Sequence, residues 1–411
     1  MAKAQGQVAA GFEGVREAFE ENFASRGEVG AAVSVWRGDE CLVDLVGGDL
    51  AGGAGAYTPD HLQLVFSATK GATAMVAHLL SQRGQLDLDA PVGRYWPEFD
   101  EAGKGDIPVS WLLCHKAGLP DTDRAVSYEG ALAWTEAVDA LAASAPIWEP
   151  GTQHGYHAIT YGYLVGEVIR RATGRTLGEI FAEEVAGPLG LDFWIGLPEA
   201  QHSRVAKLIP FGVPTDVALP SVESPLPSGT EAAPIDGDDG SATISGLVAM
   251  LEQLLGPDNL IGRALCGPGG AFSGGNVWND PALWRAEMGA ANGITNARSL
   301  ARLYASCVGT VNGVRLLAED TLARATEVQV SGPDAVLMFE IPFGLGFMRH
   351  SMFSPFGLDG AFGHYGAGGA VGFADPESGI GFGYVMNQMQ LGLAGDPRTK
   401  ALIDATVAAL R

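Results

Sequence analysis

The chain has 411 residues, 47% hydrophobic and 18% charged, enough for two domains or one large two-part fold with a sizeable core. It carries 48 Asp and Glu against 25 Lys and Arg, a formal charge of −23; that sign opposes phosphate backbones and anionic lipid, so neither nucleic acid nor a membrane surface is an expected partner. The cysteines Cys41, Cys114, Cys266 and Cys307 form no C-x-x-C pair, the N-terminus lacks the basic start and apolar run of a signal peptide, and no stretch approaches the roughly 18 unbroken apolar residues of a membrane span, so a reducing, cytoplasmic setting is expected.

Phe12, Val15, Phe19 and Phe23 recur at helical spacing and predict an amphipathic helix from Val8 to Phe23. Two β-rich runs, Ala31–Trp36 and Cys41–Val46, flank the turn signal Arg37-Gly38-Asp39-Glu40 and predict an antiparallel hairpin. From Ser67 the period changes to 3.6: Ala72, Met75, Val76, Leu79 and Leu80 make one apolar face of a helix expected over Ser67–Arg83, stopped near Gly84. Short helices between Pro and Gly turns follow, then helical patterns over Leu132–Ala143 and Ile159–Ala172. Prolines crowd residues 209–240 and predict a long irregular loop. Helices are expected over Ser245–Leu255 and Ala297–Cys307, the second capped by Thr295 or Asn296. Two apolar runs joined by Asp375-Pro376-Glu377-Ser378-Gly379 predict a second hairpin, and Asp396-Pro397 starts a last helix. Strands at both ends around a helical middle predict an α+β fold with a helical insertion.

Three clusters carry candidate chemistry. Ser67 and Lys70, in "VFSATK", stand at i and i+3, one turn apart on one helix face. Ser67 is therefore either a helix cap or a nucleophile with its base beside it, and a base there needs a lysine pKa lowered by burial or by a nearby cation. Tyr156 follows the turn Pro150-Gly151 and precedes a helix, as a packed aromatic or a group facing a cleft. In "FGHYGAGG", the glycines allow close backbone approach, either for a ligand beside His364 or for tight strand packing. No metal site is expected: His154 and His157 lack further ligands nearby, and "DGDDG" at Asp236–Gly240 has Leu247 where a calcium loop needs its last Glu. No dinucleotide fingerprint and no G-x-S-x-G elbow occur, and no cofactor is expected.

Together these clusters resemble the serine β-lactamase and penicillin-binding-protein superfamily, most closely its class C β-lactamase-like branch, the family VIII carboxylesterases. S-x-x-K is Ser67-Ala68-Thr69-Lys70, the tyrosine motif is Tyr156-His157-Ala158, and the third motif is His364-Tyr365-Gly366. "GQLDLDAPVGRYWPEF", "LLCHKAGLP" and "GYLVGEVI" also look like the family's, and the resemblance runs from about residue 12 to residue 390. It implies an antiparallel sheet flanked by helices, built from residues 1–80 and 288–411, a mostly helical insertion, 81–287, and an active site at their interface. It also implies an acylated nucleophile at Ser67, acid/base work shared by Lys70 and Tyr156, and an oxyanion hole from the backbone N–H groups of Ser67 and Ala367. Substrate would be held by His364, Gly366, His157 and Ala158. Ala158 stands where lactamases have an Asn amide, and His364 where they have a Lys for the β-lactam carboxylate. Both departures favour small uncharged esters as substrates over β-lactams. An acyltransferase or an amidase or D-aminopeptidase would use the same acyl-enzyme; a catalytically silent scaffold is the remaining class, against which the intact motifs argue.

Overall fold

The computed structural model describes residues 4–211, 255–256, 259–274 and 277–411. Most of the proline-rich loop, the acidic run Asp236–Gly240, and the helix expected over Ser245–Leu255 up to its last residue lie outside these. The strands in chain order are β1 (Gln5–Val8), β2 (Gly30–Arg37), β3 (Glu40–Gly48), β4 (Gln63–Leu64), β5 (Phe193–Trp194), β6 (Ile294–Thr295), β7 (Met348–Arg349), β8 (Phe362–Tyr365), β9 (Val371–Asp375) and β10 (Ile380–Met386). The helices that matter for the site are α1 (Glu13–Ser25), α2 (Thr69–Gln82), α3 (Thr160–Thr173), α4 (Ala297–Val308) and α5 (Pro397–Leu410).

Seven strands form one sheet in the order β1-β3-β2-β10-β9-β8-β7, every neighbouring pair antiparallel. Both expected hairpins are present, and they join where β10 pairs with β2 from Ile380↔Arg37 to Met386↔Ala31. The two ends of the chain thus share one sheet, and the helices between them form the rest of the α+β fold. β1 was not foreseen: it pairs with β3, but its side chains are mostly exposed, so no apolar alternation announces it. For the same reason α1 starts at Glu13 rather than Val8.

Glycines set the thickness of the packed layer. A Cβ on Gly381 would lie 2.1 Å from the Ala301 carbonyl oxygen, one on Gly383 2.4 Å from that of Ala297, and one on Gly372 2.5 Å from the Tyr304 ring. This bare face lets α4 lie directly on β9 and β10, and α4 is capped by the Asn296 side chain, which accepts from the Ser299 N–H. Because strand side chains alternate, Phe382 and Tyr384 face the other side. There the Tyr384 hydroxyl donates to Glu28, which pairs with the fully buried Arg398 of α5 at 3.0 Å.

Helix α2 departs from expectation. It is buried from Thr69 through Leu80 on every side, not on one apolar face, because it runs through the middle of the molecule. Its polar groups consequently need internal partners: Thr73 Oγ1 donates to the Gly289 carbonyl at 2.6 Å, and His78 Nε2 lies 2.8 Å from the Leu345 carbonyl oxygen. The helical pattern over Leu132–Ala143 is likewise two helices, Tyr128–Leu132 and Thr135–Ala143, broken at Trp134, whose φ is +74° and whose indole N–H donates to Glu167 of α3 at 2.8 Å.

Candidate active site

Ser67 sits in a single 3₁₀ turn, Phe66–Ala68, that leads into α2. Phe66 has φ +45°, an uncommon conformation for a side chain of this size, and its ring packs 4.9 Å from Trp278. Such local strain persists only where the surrounding packing holds it. Ser67 does not cap the helix: neither the turn nor α2 has a side-chain cap bond. Its half-buried hydroxyl instead lies 3.2 Å from Lys70 Nζ.

Lys70 is fully buried. Its amine donates to the carbonyl oxygens of Ala158 at 2.6 Å and Ala290 at 3.1 Å. Burial holds its pKa well below the usual lysine range. Ala290 belongs to a segment threaded beside α2, where a Cβ on Gly289 would meet Leu177 at 2.4 Å and one on Gly293 would meet Thr69 Oγ1 at 2.6 Å. The sequence reading missed this carbonyl; the "GAANG" run of small residues was the available signal.

Tyr156 comes to the same point from the irregular stretch before α3. Lys70 Nζ stands 4.8 Å from the centre of its ring. Burial raises the phenol pKa, a hydrogen bond with the Ser67 side chain opposes the rise, and the charge of Asp334 adds to it. The end of β8 completes the cluster. A Cβ on Gly366 would lie 2.1 Å from the Val65 carbonyl oxygen, so only glycine lets this strand end lie against the Ser67 turn, with Ala367 next in the chain. The Ala367–Gly369 turn is braced from α5, where Arg398 donates to the Gly368 carbonyl at 2.8 Å and Thr399 to that of Gly369 at 2.7 Å.

His364 is buried beside Tyr156, ring centres 6.0 Å apart. Its Nδ1–H donates to the Tyr365 carbonyl at 2.7 Å, and Nε2 has no hydrogen-bond partner. Burial, then the neighbouring Lys70, push its pKa down to about 3, so it is neutral across the physiological range.

One assignment needs correction. His157 is not placed to hold substrate: it is fully buried, Nδ1 lies 2.6 Å from the Gly155 carbonyl oxygen, and Nε2 accepts the Leu119 N–H at 2.9 Å. With both ring nitrogens engaged by backbone, it fixes two loops together, and burial lowers its pKa to about 4. His157→Phe should therefore lower the melting temperature, at roughly 1–3 kcal/mol for each orphaned backbone group, with KM little changed; a raised KM at unchanged stability would restore the substrate role. Ala158 contributes its backbone carbonyl to Lys70. Among the described residues no His, Cys, Asp and Glu group could hold a metal ion; His154 lies near Asp334 instead, at 3.9 Å.

The family described as Beta-lactamase matches residues 15–406. The chain is 33% identical over 386 residues to the Esterase/beta-lactamase LipL of Mycobacterium tuberculosis (strain ATCC 25618 / H37Rv), covering 92% of this chain and 81% of that protein. Among solved structures it resembles a family VIII carboxylesterase, with TM-score 0.82, 34% identity and 99% of both chains covered. It also resembles a penicillin-binding protein homolog from Caulobacter crescentus, with TM-score 0.80, 35% identity and 99% of both chains covered. The fold and the family match agree: the chain belongs to the Beta-lactamase family.

Proposed function

We propose that the protein is a serine hydrolase that cleaves small uncharged carboxylic esters through an acyl-enzyme on Ser67. The observation that carries this reading is the environment of Lys70 Nζ. A neutral amine has two N–H donors and one lone pair. The carbonyls of Ala158 and Ala290 take the two donors, and the remaining direction is Ser67 Oγ at 3.2 Å, so the lone pair is left for the serine proton. A lysine with its pKa lowered by burial is suited to that task.

In the reaction Ser67 Oγ bonds to the ester carbonyl carbon while its proton passes to the Lys70–Tyr156 pair, which titrates as a coupled unit. The tetrahedral oxyanion accepts from the N–H groups of Ser67 and Ala367. As the C–O bond breaks, the alcohol takes up the proton from Tyr156. Water then adds to the acyl-enzyme with the pair acting as base, and Ser67 leaves with its proton restored. The site is proposed where residues 1–80 and 288–411 meet the helical 81–287. We also propose a cytoplasmic setting, in which the free thiols of Cys41, Cys114 and Cys307 would stay reduced.

Substrate charge follows from His364 and Ala158. A neutral imidazole whose Nδ1–H is already donated offers an anion no charge and no free donor, and Ala158 offers no amide to an acylamino group. LipL and the carboxylesterase neighbour carry esterase names; since LipL's name adds β-lactamase, both activities are to be measured side by side. Short p-nitrophenyl esters should be hydrolysed with kcat/KM at least ~10²-fold above a chromogenic cephalosporin, the scale of one or two lost polar anchors. Comparable values for the two would refute the substrate reading.

A further inference from the structure

Tyr156 stands in a stretch with no regular secondary structure, so something outside that stretch must set its height over Ser67 and Lys70. His115 holds the residues on either side, its carbonyl accepting the Gly155 N–H at 3.1 Å and its Nδ1 the His157 N–H at 3.2 Å, and one further atom holds Tyr156 itself. Asp334 Oδ1 accepts the N–H of Tyr156 at 3.0 Å, of Val336 at 2.8 Å and of Leu337 at 2.8 Å. Asp334 is itself 1% exposed. Its backbone closes a tight turn, with its N–H donating to the Phe339 carbonyl at 3.0 Å and its carbonyl accepting from the Met338 N–H at 2.8 Å. The next N–H, of Ala335, reaches across to the His154 carbonyl at 2.9 Å. The 334–339 turn and the 154–156 stretch are therefore fastened at two points. A Cβ on Gly155 would meet Val336 at 3.0 Å and Ala335 at 3.2 Å, so the two segments lie in contact. The other carboxylate oxygen, Oδ2, has no hydrogen-bond partner. It lies 3.9 Å from His154 Nε2, so the Tyr156 N–H is held by the acceptor geometry of Oδ1 alone.

We propose that Asp334 is a positioning residue for the reaction: its Oδ1 holds the Tyr156 backbone so that the phenol meets Ser67 and Lys70. The inference rests on the acid/base role of Tyr156 given above, and it names a residue that no sequence motif of the site contains. Because Asp334 acts through Tyr156, its loss should move kcat and leave substrate binding alone.

The test uses the full chain with a short p-nitrophenyl ester. Misplacing a catalytic group by about 1 Å costs ~10²-fold in rate, so Asp334→Ala should lower kcat by ~10²-fold with KM within about threefold of the parent. Asp334→Asn keeps an oxygen at the same distance and should recover kcat to within ~10-fold of the parent, whereas Asp334→Glu keeps the charge, displaces the oxygen by a methylene, and should lose ~10²-fold. If the alanine variant does not fold, the Asn and Glu pair still decides between geometry and charge. Combining Asp334→Ala with Tyr156→Phe should cost little beyond Tyr156→Phe alone. A Glu variant with parental kcat, an Asn variant as slow as the Glu variant, or losses that multiply fully in the double variant would each overturn the proposal. Failure of the Tyr156 role itself is read separately, as parental kcat in Tyr156→Phe.

Discussion

Lys70→Ala should lower kcat for ester hydrolysis by ~10³-fold or more, within or above the usual yield of general acid–base catalysis because the same group serves both half-reactions. The amine is surrounded by Ser67 Oγ and two carbonyls, and the Ser67 side chain is also hydrogen-bonded to Tyr156, the other member of the proposed pair. Lys70→Arg should be as inactive as the alanine variant, since a guanidinium stays protonated and offers no lone pair. The pH profile carries the same information. Burial lowers the folded-state pKa, so the neutral amine persists well below the usual lysine range, and kcat/KM should fall on the acid side as Lys70 takes up a proton. Substantial turnover by Lys70→Arg, or an acid limb unchanged in a variant with residual activity at position 70, would remove Lys70 from the proton path.

Gly366→Ala should be the most damaging single methyl group in the site. The φ of Gly366 is −117°, which any residue adopts, so the demand is steric and not conformational. The added Cβ would meet the Val65 carbonyl oxygen at 2.1 Å and the Val65 carbonyl carbon at 3.1 Å, both backbone atoms that no rotamer change can move. Relief requires the strand end to back away from the Ser67 turn, and Ala367 goes with it. Loss of one oxyanion donor costs ~10²–10³ in kcat, and overpacking adds ~1–3 kcal/mol of instability. Steady-state kinetics and thermal melting on the same preparation separate the two effects. An Ala variant with parental kcat would show that the β8 end does not supply an oxyanion donor.

What could be read in the sequence divides along physical lines. Ser67, Lys70 and Tyr156 could be singled out because each is a side chain of a type that the proposed chemistry requires. The hairpins were legible because alternation and turn residues are local. The glycines of β8 to β10 were visible, but their two uses were not separable: Gly372, Gly381 and Gly383 admit α4, while Gly366 admits the turn that carries Ser67. Backbone roles left no trace, since the carbonyls of Ala158 and Ala290 would serve with other side chains attached. His157 misled because adjacency to Tyr156 in the chain says nothing about where the ring turns; it turns to Leu119 and Gly155. The one-sided pattern of α2 failed for a related reason. Its polar residues Thr69, Thr73 and His78 look exposed by type, yet each finds a hydrogen-bond partner inside the protein.

The account's central claim is a covalent acyl group on Ser67, and intact-mass spectrometry after brief exposure to a slowly turned-over ester measures it most directly. The chain should gain the mass of one acyl group. Peptide mapping should place it on Ser67, Ser67→Ala should gain none, and the adduct should decay at the rate of turnover. Full hydrolysis by Ser67→Ala, or an adduct on any other residue, would contradict the mechanism.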